Sequence, residues 1–575
     1  MNFWTFVSRL ILKSRYAILI LIATATYFLA MQMQHMRFSY TEANLLPENH
    51  KINIEYKEFL ELFGEEGNLI ILAVQDSTIF TPEKFNAWNN FSKKIDSFPE
   101  VDFTVAVGDI QKLIKNNSEQ KFDIEPLYEN EPQTVEDVLK IKEELFENLP
   151  FFDNFLYNKE TGTIRTVVYL KKDIVNTYVR RDFFFNDLNP SVASFENNYN
   201  IDVRVSGMPY IRTMNAQNII DEIGMFVGLA LGITALIFFF FFRSFRATFI
   251  TLIVVSIGVV WAFGFIGLFR YEITVLMALI PPLIIVIGVP NAIFLINKYQ
   301  QEVKKHGNQA KSLQRVITKI GNATLMTNVT TASGFATFIF TKSQLLREFG
   351  TIASINILAI FVLALLIIPI LYSFMPLPKE KHLKHLERKW IDSIVNWMES
   401  IVRNHRFSVY ALTIVLIIAS IIGVYMIKIS GSLIEDMPKG KQFFKDIVFF
   451  EEEFGGIMPL EIVIDTKKKN GVMKLSTLKK MNELDETIDE IPQLSKSISV
   501  LNLVKYSKQA FYSGNPKYYQ LPNNQEKNWI LSYTKNSTNN ADLLNNFVDS
   551  TGRYARMTTF MKDIGTEKMV LIEDR

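Results

Sequence analysis

Two short stretches of this 575-residue chain place polar and conformationally special residues inside apolar sequence: Gly288, Pro290 and Asn291, then Thr330, Thr331, Ser333 and Gly334. Amide and hydroxyl groups exchange hydrogen bonds but hold no exchangeable charge near neutral pH, so this chemistry binds and positions rather than transferring protons. A proline within a helix frees the carbonyl four residues earlier, here that of Val286, and a glycine beside it lets a neighbouring helix approach closely. Pro281 and Pro282 add a second interruption. One reading is an intramembrane transport or relay site, partly unwound, with Asn291 facing Thr330, Thr331 and Ser333. The other is a kinked packing helix with ordinary interhelical hydrogen bonds. Asp221, Glu222 and Glu272 stand at the edges of apolar runs, as interfacial charges do, and the centres of the runs carry no Asp, Glu, Lys, Arg or His.

Other chemistries find little support. The chain has no cysteine, which removes thiol catalysis, thiolate zinc sites, iron–sulfur clusters and disulfides. Its six histidines lack the carboxylate neighbours of a metal site, and His382 and His385 read as a solvated helix face. No phosphate-binding glycine loop, nucleophile elbow or HExxH is present, so no enzyme activity, metal or cofactor is expected. With 61 Lys+Arg against 59 Asp+Glu the chain lacks the basic surplus of a nucleic-acid binder.

The elements that must position the polar residues are membrane spans. Uncharged runs at 16–33, 223–242, 247–269, 273–296, 322–340, 351–375 and 407–427 approach the roughly 20 residues a helix needs to cross the hydrocarbon layer. The first reads as an uncleaved anchor, with a secretory signal as the rival reading. Arg9, Lys13 and Arg15, then Arg243 and Arg246, then the basic loop from Lys298 to Lys319 with its single acid Glu302, are all placed in the cytoplasm by the positive-inside rule. The segment 379–406 is basic, with Leu383, Leu386, Trp390, Ile394 and Trp397 at helical spacing, and reads as a cytoplasmic interfacial amphipathic helix. The boundaries follow: 1–33 with the first span, 34–217 outside, a five-helix bundle at 218–378, the amphipathic helix at 379–406, a seventh span at 407–427, and 428–575 outside.

The two outer segments repeat one plan. LeuLeuPro at 45–47 and PheGly at 63–64 recur as AspMetPro at 436–438 and PheGly at 454–455, 391 residues on. ThrGly at 161–162 and LysAsp at 172–173 recur 390 residues on, at 551–552 and 562–563. In the first segment, strand patterns near 68–75, 101–108, 163–171 and 201–209 bracket helices near 82–97 and 177–197, with Thr81 as N-cap and 110–160 inserted. That order fits a split βαβ, ferredoxin-like domain, the alternative being an unspecified α+β domain. The second copy is expected to be incomplete, a parent of roughly 770 residues being implied by the offset.

One span, an outer domain and five spans, begun a second time, resembles the resistance-nodulation-division (RND) transporter superfamily, and within it the MMPL and Patched-like branch. GlyValProAsnAlaIlePheLeuIleAsnLysTyr at 288–299 is similar to the branch's Gly-Val-Asp-Tyr-x-Ile segment, ThrThrAlaSerGlyPheAlaThr at 330–337 to its Thr-Thr-x-x-Gly-Phe-Ala segment, and ArgGluPheGly at 347–350 to the turn before the sixth span. The resemblance implies a polytopic α-helical membrane protein with α+β periplasmic domains. It further implies export of a hydrophobic or lipid-like substrate from a bacterial inner membrane, with the bilayer, a homo-oligomer or periplasmic proteins as partners. The sequence departs from the branch where Pro290 and Asn291 stand in place of the acid and tyrosine, and the acid is what family transporters protonate. Either titrating residues lie elsewhere in the full plan, or the protein is a lipid-binding or sensing accessory without active transport.

Overall fold

A computed structural model describes residues 3–38, 49–64, 67–378, 389–427, 431–432, 437–536 and 546–574. Leu45–Pro47, Asp436, His382, Leu383, His385 and Leu386 lie outside them. The chain divides into two compact units: 1–50 with 216–428, and 51–215 with 429–575.

The first unit is helical: α1 (Phe3–Lys13), α2 (Arg15–Gln32), α3 (Met208–Phe242, beginning in the other unit), α4 (Phe245–Phe269), α5 (Ile280–His306), α6 (Gln309–Ala336), α7 (Gln344–Ser373), α8 (Lys389–Asn404) and α9 (Arg406–Met426). Among the described residues, six helical stretches are long and apolar enough to cross a membrane, against seven runs in the sequence. The run at 322–340 is the difference, since it lies largely in α6, whose threonines and two asparagines lower its hydropathy. The hydroxyls of Thr324, Thr330 and Thr331 donate to carbonyls four residues back at 2.8–3.0 Å, which satisfies them without leaving the helix. Helix α8 covers the described part of the amphipathic segment and exposes Ile394 and Trp397.

Close approach within the bundle depends on missing side chains. A Cβ on Gly264 of α4 would lie 2.6 Å from that of Leu29, and one on Gly267 would overlap the Gln32 carbonyl, so α2 seats directly on the α4 backbone. Trp261 of α4 also donates to Thr26 of α2 at 2.9 Å. Helix α5 ends on Gly307, in the left-handed region at φ 62°, and Asn308 then caps α6 by accepting from the Lys311 N–H at 3.0 Å.

Among the described residues, the second unit holds two larger antiparallel sheets and a separate two-stranded hairpin. Strands β1 (Leu69–Val74), β2 (Val101–Val105), β3 (Thr163–Leu170) and β4 (Arg204–Ser206) lie in the order β2-β3-β1-β4, with Tyr157–Asn158 added beside β3. Strands β5 (Met458–Asp465), β6 (Ile498–Ser499) and β7 (Tyr554–Met561) lie in the order β5-β7-β6. Helix Pro82–Asp96 links β1 to β2, and Leu475–Asp489 lies between β5 and β6. Thr81 stands at the N-cap, although its hydroxyl donates to the Thr78 carbonyl at 2.9 Å instead of capping. Residues 110–160 supply a hairpin, Gln111–Asn116 with Lys121–Pro126, and helix Val135–Glu143.

The strand registers agree under the sequence offsets. Leu69 faces Tyr169 and Leu460 faces Thr559, where 69 + 391 = 460 and 169 + 390 = 559. The helices Lys51–Phe63 and Gln442–Phe454 are each 13 residues long, 391 apart, and each is followed by a left-handed glycine, Gly64 or Gly455. Helix Gln442–Phe454 packs in the first sheet's territory: Phe443, Ile447, Phe450 and Phe454 share one core with Ile70, Leu72 and Val205. Asp446 on that helix accepts from Arg204 at 3.2 Å and from the Val205 N–H at 3.4 Å, which covers the open edge of β4. In return, Phe59 of the first helix lies under the guanidinium of Arg556 in β7, 5.5 Å from ring centre to Cζ.

Candidate functional site

The buried side of α5 runs through Ile284, Gly288, Asn291 and Leu295, steps of four, three and four that keep one face. Gly288 sits against α4 and α7, where a Cβ would come within 3.3 Å of Val255 and 3.1 Å of Ile360. Pro290 falls on the exposed side with Val286, and α5 continues through it as a regular helix. Pro281 and Pro282 occupy its first turn, where the missing N–H groups have no intrahelical partners to lose. The polar site is therefore helical instead of unwound.

Asn291 is buried and meets Asn328 of α6. Each amide donates to the other's oxygen, at 3.0 and 2.8 Å, and Asn328 also donates to the Thr324 carbonyl at 2.7 Å. Thr330, Thr331, Ser333 and Gly334 are exposed, the first two bonding back to their own helix. The structure thus brings Gly288 and Asn291 to one face and sets the 330–334 group elsewhere. Asn328 was legible in principle: Leu313, Ile317, Gly321, Thr324, Asn328 and Ala332 form a helical stripe that passes by the threonine pair.

At the far end of α5, the single acid of the basic loop proves to be its organiser. The Glu302 carboxylate is buried, with Lys319 at 3.1 Å, Arg315 at 3.4 Å, His306 at 3.5 Å and Lys298 at 3.9 Å. This cluster ties α5 to α6 across the Gly307 turn.

The second unit contains a cavity of about 930 Å³ walled by both polar segments. Its mostly apolar lining carries several aromatic rings: Phe103 stacks on Tyr169 at 4.4 Å and Phe151 on Tyr506 at 5.1 Å, with Phe454 and Phe560 nearby. Most buried charge at the wall is paired. Arg556 grips Glu461 through two bonds of 2.8 Å, and Lys505 meets Asp485 at 3.0 Å. Nothing in the sequence pattern alone brings the two segments around one space.

Comparison with known proteins places this architecture. Residues 162–403 match the MMPL family. Over that region the chain is similar to MMPL-family membrane proteins. The match opens just before β3 and runs through α3–α7 into α8, so it contains the Asn291–Asn328 pair and the Glu302 cluster. A protein of Methanocaldococcus jannaschii, named only as a membrane protein, is 22% identical over 295 residues, covering 44% of this chain and 74% of the relative. With six apolar spans among the described residues and this likeness to the MMPL family, the chain is a multi-pass membrane protein.

Proposed function

We propose that this protein is an RND-type transporter that exports a hydrophobic or lipid-like molecule from a bacterial inner membrane, its two polar segments being periplasmic. The cavity of about 930 Å³ carries this reading, because a concave space whose lining is mostly apolar, with several aromatic rings, suits a lipophilic ligand. The polar segments are taken as two copies of one split βαβ plan. The antiparallel order β2-β3-β1-β4, the partial order β5-β7-β6 and the matching registers support this. In the bundle, Pro290 stands where the family keeps an acid and Asn291, joined to Asn328 as an amide pair, stands where it keeps a tyrosine, so residues 288–291 do not carry proton coupling themselves.

The same amide pair favours a second reading, a lipid-binding or sensing membrane protein that moves nothing. Reconstitution of the purified chain in vesicles with a fluorescent lipid separates them. Flux supports transport, and its loss on collapsing the proton gradient places coupling outside this amide pair. Co-purified lipid without flux would favour the sensor.

A further inference from the structure

Arg165 of β3 lines the cavity and is only 6% exposed, yet no carboxylate pairs with it among the described residues. Its Nε donates to the Phe155 carbonyl and its Nη2 to that of Asn154 at 2.7 Å, while the ring of Phe454 lies 4.2 Å from Cζ. Nη1 makes no hydrogen bond among the described residues. Carbonyls and a ring face orient a guanidinium without neutralising it, and a buried charge ordinarily has an opposite charge beside it. Arg556, at the same wall, shows the usual solution in its two bonds to Glu461.

The remaining lining charges do not offset Arg165. Asp153 is taken by Lys496 at 2.7 Å, Asp102, Asp109, Asp489 and Lys172 are exposed, and Lys527 is half-buried, so pairing or water screens them. Burial pulls the Arg165 guanidinium down to about 9, which leaves it charged at neutral pH. The position is also particular to the first copy, since its equivalent under the 390 offset is Ala555.

We propose that the cavity takes an amphipathic anion, an apolar chain lying along the aromatic wall with a carboxylate or phosphate head at Arg165. This rests on the reading of the cavity as substrate space, and names the class of substrate. The head would supply the missing counter-charge through Nη1, and a guanidinium binds such oxyanions by charge-assisted hydrogen bonds.

The test uses the full chain in detergent, photolysed with a diazirine derivative of palmitic acid or with the matching alcohol, and adducts are mapped by peptide mass spectrometry. The acid should label the peptides around Phe103 and Tyr169 at least ~10-fold more than the alcohol, the discrimination of about one charge-assisted bond. Arg165→Gln should bring the acid down to the alcohol's level, and Arg165→Lys should keep part of the difference. Equal labelling by acid and alcohol in the unsubstituted protein overturns the anion assignment even if Arg165→Gln fails to fold, and leaves the cavity reading standing. Labelling of membrane helices alone, by both probes, defeats the cavity reading as well. Displacement of the acid by millimolar acetate or inorganic phosphate would show a site for free anions and overturn the requirement for a chain.

Discussion

Asn291 and Asn328 spend their amides on each other, and that makes each a liability without its partner. Asn291→Leu strands the Asn328 amide in the bundle and should cost about 1–2 kcal/mol, seen as a lower melting temperature in detergent, while the double replacement with leucine should recover most of it. If the pair is also the transport site, flux falls in both variants despite the recovery. In the polar unit, Arg553 holds Asp465 down to about 2 by donating from Nε and Nη2 at 2.7 and 2.6 Å. A depressed carboxyl stabilises the fold above its ordinary value of 3.8 and loses that contribution as the pH falls through about 2. The stability difference between the parent and Arg553→Met should therefore be constant from pH 7 to 5 and close between pH 4 and 2. A difference that persists at pH 2 would assign Arg553 a packing role instead. At this scale the sequence revealed Asn291 but not its partner or Arg165. A polar residue in an apolar run is conspicuous, whereas its partner depends on the rotation of a second helix, and Arg165 looks like any strand arginine until its surroundings are known.

Helix ends and helix crossings decide the bundle. Glu302→Gln would leave Lys298, Arg315 and Lys319 facing one another across the Gly307 turn with no counter-charge. Mutual repulsion at a buried point should lower the melting temperature by several degrees, and raising the salt concentration should restore part of the loss. Gly267→Ala tests the seating of α2 on α4, because its new methyl overlaps the Gln32 carbonyl. Gly228→Ala in α3, where nothing lies within 4 Å, is the matched control and should be neutral or slightly stabilising. Equal melting temperatures for the two variants would mean that α2 does not depend on this contact. The spans and strands were readable because apolar runs and alternation report burial directly. The polarity of α6 keeps it below a hydropathy criterion, although its uncharged run at 322–340 marked it as a span.

Across the whole polar unit, the sequence offset extends to the strand registers, but it does not say which sheet each helix serves. The apolar face of Gln442–Phe454 announces burial without naming the surface that receives it. The structure assigns that surface to the first segment, where Phe450 joins Ile70 and Leu72. Replacing Phe450 by alanine should therefore destabilise the first sheet by about 3–5 kcal/mol, read as faster amide exchange in β1 and β4. Exchange accelerated only in β5–β7 would contradict the assignment.

That shared core also sets a timetable. The segment Ala216–Lys428, 213 residues by 428 − 215, lies between the two contributors to the polar unit. A ribosome adding about 5–20 residues per second needs on the order of 10–40 s to make it. Throughout that interval the first sheet stands with β4 uncovered and no Phe450 to fill its core, while the bundle is still being inserted. The nascent protein thus passes through an obligatory waiting period, and chaperones or proteases that survey unfinished domains have their opportunity then.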